Sequence, residues 1–185
     1  MTSSPCALKG RALNQFGIKV HPDFMAAADR VYGPLGLEYA ALQVEPESAE
    51  YGACRFDLGG QSLVFRASKI TPTKIGQFVT CWKRIDNGPI QPFDTSDPFD
   101  LLVISCRSKE HFGQFVFPKL VLREKDIVSD QGKGGKRGIR VYPPWDEPES
   151  RQAQRTQDWQ SAYFLKIENA ALDEIRARKL YGLAP

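Results

Sequence analysis

Leu101-Leu102-Val103-Ile104-Ser105-Cys106 is an unbroken apolar run of strand length. Such runs belong to strands buried on both faces, so it predicts the centre of a sheet covered on both sides. Phe112 to Phe117 is a second strand. A polar turn from Arg107 to His111 joins the two, which predicts an antiparallel pair. Upstream, Tyr51 to Lys69 reads as a hairpin. Cys54, Phe56 and Leu58 alternate with polar neighbours, Gly59-Gly60 turns, and Leu63 and Phe65 alternate on the return.

The flanking segments alternate between helix and strand. His21-Pro22-Asp23 opens a first helix, since Pro costs nothing in a first turn and Asp suits its positive end. Phe24, Ala27, Ala28 and Val31 follow at helical spacing, and Gly33-Pro34 ends it. Glu38 to Glu50 is acidic, with little pattern beyond Tyr39–Val44. Ile75, Phe78, Val79 and Trp82 share the face of a predicted helix that Thr71 or Thr73 can cap. Asp86 to Asp97 reads as a loop, Pro118 to Lys125 as a short helix, and Ile139-Arg140-Val141-Tyr142 as a strand stopped by Pro143-Pro144-Trp145. Helices are predicted from about Ser150 to Lys166 and from about Asn169 to Tyr181. The whole predicts an α/β fold of the α+β kind, a mixed central β-sheet flanked by helices.

A chain of 185 residues fits a single domain, 1–185. Its 42% hydrophobic and 25% charged residues are globular values. No run of eighteen apolar residues occurs, which excludes a helical membrane span. Residues 1–20 begin without an apolar signal stretch and read as a ragged terminus, so a cytoplasmic location with no membrane partner is expected. Cys6, Cys54, Cys81 and Cys106 are scattered, with neither His21 nor His111 close in sequence. They read as buried small hydrophobes rather than zinc ligands or activated thiols.

Net charge is only +3, but its distribution is uneven. From Arg66 to Arg140 there are fourteen Lys/Arg and eight Asp/Glu. Such segregation favours an acidic partner, the alternative being an ordinary solvated surface.

Three clusters could carry chemistry. Gly132-Lys133-Gly134-Gly135-Lys136-Arg137-Gly138 reads as a flexible basic loop. Its spacing is not that of a Walker A motif, and it reads as a phosphate-backbone clamp or a solvated surface loop. Lys69, Thr71, Thr73, Lys74 and Gln77 surround the predicted start of the helix, where free N–H groups attract phosphate; the plainer reading is capping. Asp94, Asp97 and Asp100, followed by Gln114 and Lys119, could hold a hard cation for phosphodiester cleavage or could form an ordinary turn. Among the aromatics near the basic segments, Trp82, Tyr142, Trp145, Trp159, Tyr163 and Phe164, most read as core; Trp145 is the best placed to meet a base.

Lys69-Ile-Thr-Pro-Thr-Lys-Ile-Gly-Gln-Phe-Val-Thr80, Trp82-Lys83-Arg84, Asp97-Pro-Phe-Asp100, Phe112-Gly-Gln-Phe115 with Phe117-Pro-Lys119, Gly135 to Asp146, and Gln157 with Trp159-Gln160 and Tyr163-Phe164 together resemble the MepB family, over residues 48–165. The resemblance implies a fold similar to the core of type II restriction endonucleases, with a groove suited to nucleic acid. That endonuclease pattern wants an acid two residues before a lysine, yet Ala67 precedes Lys69 and Phe117 precedes Lys119.

The expectation is therefore a nucleic-acid-binding protein, for DNA or RNA, with cleavage weak or absent. Lys69, Lys74, Lys133, Lys136, Arg137 and Arg140 would hold phosphates. Thr71 and Thr73 would stand beside them, and Gln77 and Trp145 would meet sugar or base. The alternatives are a Mg²⁺-dependent nuclease using Asp100 as metal ligand with Gln114 and Lys119, helped by Glu50 or Asp57, and a protein-interaction factor linked to drug-efflux regulation, after the operon that names the family. A homodimer would suit the fold.

Overall fold

The computed structural model describes residues 19–167 and 171–184. In chain order it contains α1 (Pro22–Ala27) running on into a π-helical turn (Ala28–Tyr32), β1 (Tyr39–Val44), a 3-10 turn (Pro46–Tyr51), β2 (Cys54–Leu58), β3 (Gln61–Ala67), β4 (Lys69–Thr71), β5 (Lys74–Thr80), β6 (Trp82–Arg84), β7 (Ile90–Pro92), β8 (Leu101–Arg107), β9 (Phe112–Pro118), α2 (Lys119–Glu124), β10 (Gly138–Val141), α3 (Arg151–Ser161), β11 (Phe164–Lys166) and α4 (Glu174–Leu180).

The apolar run lies where the sequence predicts. β8 is central in a six-stranded sheet of order β1-β2-β3-β8-β9-β11. It pairs in parallel with β3 and antiparallel with β9, while the other pairings are antiparallel. The sheet is therefore mixed, with helices packed against it. Period-two alternation divides its side chains between two cores. Leu63, Phe65, Leu101, Val103 and Val116 point to one side, where Phe24 and Tyr32 from the N-terminal helical segment and Leu180 and Tyr181 from the C-terminal end cover them. Val64, Leu102, Ile104, Phe115 and Phe117 point to the other.

That second face is not covered by helices alone. A three-stranded sheet, β10-β5-β4, lies over it, with Val79, Ile139 and Val141 packed into the core beside Leu122 of α2. The helix expected from the Ile75–Trp82 pattern is thus a strand followed by the short β6. The local sequence explains the difference. Ile70, Thr71, Thr73, Ile75, Val79 and Thr80 are β-branched and stiff at χ1, which favours extended backbone. Gly76 has φ +84°, and a Cβ there would stand 2.7 Å from the Tyr142 ring. Neither feature suits a helix interior. The predicted helix from Ser150 is also shorter: it ends at Ser161, and Phe164–Lys166 becomes the edge strand β11, paired with Gly113–Phe115. Near the C-terminus, the expected start at Asn169 lies outside the described residues, and α4 begins at Glu174.

Buried polar groups are used structurally. Gln114 donates through Nε2 to Ser105 Oγ at 2.9 Å and accepts from the Tyr181 hydroxyl at 2.9 Å, inside the helix-covered core. Arg66, one of the fourteen basic residues of the central half, is 1% exposed. Its Nη2 pairs with Glu45 at 2.6 Å, and its guanidinium lies over Phe93. Cys54, Cys81 and Cys106 are free and buried, and burial pushes the thiols of Cys54 and Cys81 up to about 12. Cys6 lies outside the described residues. No helix among the described residues is long and apolar enough to cross a membrane.

Candidate nucleic-acid interface

β4 and β5 form a hairpin whose tip, Pro72-Thr73, stands out from the second face. Without a helix here, the two threonines cap nothing and no helix N-terminus receives phosphate. The hairpin is instead held by Arg140 of β10. Its Nη1 lies 3.1 Å from Thr71 Oγ1 and 2.9 Å from Gly76 O, with Lys74 O and Ile75 O at 3.3 and 3.4 Å. One guanidinium thus gathers four acceptors and fixes Lys74 beside β10.

α3 flanks β10 on the other side. Gln160 acts as a strand substitute: its Oε1 accepts from Tyr142 N at 2.9 Å and its Nε2 donates to Arg140 O at 3.1 Å. Gln157 donates to Pro143 O and Asp146 O. Between hairpin, β10 and α3 lies an open groove of about 780 Å³. Thr73, Lys74, Lys125, Lys136, Arg140, Gln152, Thr156 and Trp159 are on its walls, with Glu149 the one carboxylate among the lining residues. A second hollow of about 520 Å³ adjoins it, lined by Lys125, Arg151, Gln152, Arg155, Thr156 and Trp159.

The glycine-rich loop at the groove's edge is tied down rather than flexible. The Asp94 carboxylate accepts from Gly132 N at 2.9 Å and from Ser129 Oγ at 2.6 Å, and Asp126 Oδ1 accepts from Gly135 N at 3.1 Å. Lys136 N donates to Ile127 O at 2.9 Å. Gly134 has φ +73°, and a Cβ there would stand 2.3 Å from Asp126 Oδ1, so the closeness of carboxylate to backbone requires glycine. Donors from Ser129, Gly132 and Ser96 hold the Asp94 carboxyl below the usual carboxylate range.

Of the expected phosphate-binding residues, the groove brings together Thr73, Lys74, Lys136 and Arg140, with Thr71 supporting Arg140. Lys133 and Arg137 are exposed on the loop, outside the groove lining. Lys69 pairs with Glu50 and lies over the Tyr51 ring at 4.4 Å. Gln77 is 1% exposed, its amide bonded to Ser68 Oγ and Arg107 O, so it meets neither sugar nor base. Trp145 stacks on His111 at 5.1 Å and sets its edge to Phe164 at 5.5 Å, turned into the fold. The tryptophan on the groove is Trp159. Arg151 and Arg155 lie outside the basic half that the sequence marks, and Lys125 lies inside it without being named as a phosphate partner. The signal for the two arginines is the spacing of 151 with 155 and of 152, 156 and 159, which marks adjoining rows on one side of a helix.

The acidic cluster holds the protein together. Asp94 grips the loop; Asp97 pairs with Lys83 and accepts from Asp94 N at 2.7 Å; Asp100 accepts from Ser62 N at 2.9 Å. Lys119 donates to Asp97 O and Thr95 O. Asp57 accepts from Ser62 Oγ, and Glu50 pairs with Lys69. Gln114 pairs across the sheet with Ser105, four positions from the Leu101–Pro118 pair. Asp100 and Lys119 lie one residue beyond that pair, so Gln114 is roughly 17 Å along the strands from both. Among the described residues no three His, Cys, Asp or Glu side chains gather as metal ligands would. Asp100, Gln114 and Lys119 do not fit a Mg²⁺ site, whose hard cation wants converging oxygens.

A sequence model of the MepB-like family matches residues 45–166, which span the sheet from the 3-10 turn to β11. The crystal structure of MepB is 37% identical, with a TM-score of 0.66, over 69% of this chain and 86% of that one. A bacterial homing endonuclease of known structure is 17% identical, with a TM-score of 0.41, over 74% of this chain and 85% of that one, a likeness too distant to bear on fold or activity. No protein of curated function matches the chain. The sequence match and the solved relative agree, and the chain belongs to the MepB-like family.

Proposed function

We propose that this chain binds nucleic acid, gripping the phosphate backbone in the groove between the β4–β5 hairpin, β10 and α3, with cleavage weak or absent. The observation that supports this is the convergence of unpaired cations on one concavity. Away from the groove several cations meet carboxylates: Arg55 and Arg66 share Glu45, Lys83 has Asp97, Arg84 has Glu47, Arg107 has Asp23 and Arg123 has Asp130, while Arg30, Lys109, Lys133 and Arg137 are scattered and make no ion pair with a described residue. Around the groove, Lys74, Lys125, Lys136, Arg151 and Arg155 make no ion pair with a described residue. Unpaired cations converging on one concavity with an indole in its wall suit a polyanion that also carries rings.

Fluorescence anisotropy of short labelled DNA and RNA, titrated with the intact protein at several salt concentrations, tests the reading. Affinity that falls steeply with salt is expected; no binding at low salt would overturn it. Shortened product that needs Mg²⁺ and disappears in Asp100→Ala would establish the nuclease alternative instead.

A further inference from the structure

We infer that the groove takes single-stranded nucleic acid, running from the hairpin across Trp159 to Arg151 and Arg155, with an unpaired base stacked on the indole. This rests on the nucleic-acid reading and adds strandedness, path and a stacking residue to it. Trp159 is half-buried, at the junction of the two hollows, and contributes to the lining of both. Its ring is braced from within by Phe117, at 5.3 Å between centroids, and by Tyr163, at 6.5 Å. A braced aromatic loses little freedom when a second ring stacks on it, which is what a base platform needs. Lys125 Nζ stands over the indole at 5.3 Å. It is exposed and on a flexible stem, so it can move aside to a phosphate when a base arrives.

Duplex DNA buries its base faces in its own stack and offers proteins only base edges and phosphates. An indole face is of use only to a base that is already unpaired or is drawn out. Hollows of about 780 and 520 Å³ are on the scale of sites for small ligands, and a chain of single nucleotides can thread them. Beyond the indole, Arg151 and Arg155 lie one helical turn apart in α3, and both are exposed. They extend the line of cations past Trp159 at the spacing of one helix side. A strand crossing the indole would therefore meet phosphate partners before it, in Lys74 and Lys136, and after it.

The experiment compares three labelled probes on the intact protein: a fifteen-nucleotide oligothymidylate, a duplex of the same length, and a fifteen-unit abasic strand that keeps the phosphates and lacks the bases. Wild type should prefer the oligothymidylate to the abasic strand by about tenfold or more, the range stacked bases give. It should also prefer it to the duplex. Trp159→Ala should bring the first two probes together while leaving the salt slope unchanged, and Trp159→Phe should restore most of the preference. Arg151→Ala with Arg155→Ala, both on the surface, should lower the salt slope for the oligothymidylate by roughly 1.4. Equal binding of oligothymidylate and abasic strand by wild type, or tighter binding of the duplex, would overturn this inference and leave the groove reading standing. Failure of all three probes to bind at low salt would overturn both.

Discussion

Replacing Asp94 with Ala should destabilise the protein by about 3 kcal/mol, because one carboxylate organises the loop that carries Lys136. Asp94 is 9% exposed and accepts from four groups: Ser129 Oγ, Gly132 N, Ser96 N and Ser96 Oγ. Ser96 is exposed, so water replaces its two bonds at little cost. Ser129 is 4% exposed, and the Gly132 N–H belongs to the pinned loop. Two bonds to a charged acceptor remain, each worth roughly 1.5 kcal/mol at the lower end of the usual range. For a chain of 185 residues, about 3 kcal/mol lowers the Tm by roughly 6–12 °C. Thermal unfolding followed by circular dichroism reads this directly. The folded carboxyl titrates below its unfolded value of about 4, so its stabilisation is present above that pH and is lost as pH falls through the folded value. The gap between wild type and Asp94→Asn should accordingly shrink below about pH 4. A Tm loss under about 2 °C for Asp94→Ala, or a gap that widens with acid, would refute the assignment of the loop's anchor to this carboxylate.

Gly134→Ala should cost roughly 1–3 kcal/mol in denaturant unfolding, from its positive φ and the contact with Asp126, and should cost less in an Asp126→Ala background, where the obstacle is gone. Tyr181→Phe removes the donor to Gln114 Oε1 inside the core and should destabilise by roughly 1–2 kcal/mol in the same measurement, with nucleic-acid affinity unchanged, because Gln114 serves the fold.

The central sheet was legible because its signals are local. Leu101 to Cys106 needs covering on both faces wherever it lies, and Cys54 to Phe65 carries its own turn in Gly59-Gly60. The segment from Lys69 to Arg84 misled because Ile75, Phe78, Val79 and Trp82 also fit a helical period. What settles it is distant in sequence: Tyr142 packed over Gly76, and Arg140 gathering the hairpin's carbonyls. Phe164 to Lys166 continues a helical pattern, yet pairing with Gly113–Phe115 wins it for the sheet. The site follows the same division. Composition marked Lys74, Lys136 and Arg140, which lie in the basic half. It also marked Lys69 and Arg66, whose carboxylate partners come from the acidic stretch before the hairpin, Glu50 and Glu45. Lys125, Arg151, Arg155 and Trp159 converge only through the packing of α2 and α3 against the second face. Trp145 and Gln77 read as ligand contacts in the sequence because nothing in their neighbours' identities reveals that both turn inward.

The most direct test is the salt dependence of oligonucleotide affinity for the Lys74→Ala, Lys125→Ala, Lys136→Ala triple variant, beside a control that replaces the paired cations Lys69 and Arg84 with Ala. All three groove lysines are exposed, so the fold should survive their loss. Each phosphate contact on a single strand contributes about 0.7 to the slope of log affinity against log salt. The triple variant should therefore bind more weakly, with a slope shallower by about 2, while the control keeps the wild-type slope. A wild-type slope in the triple variant, or an equal loss in the control, would contradict the groove as the seat of binding.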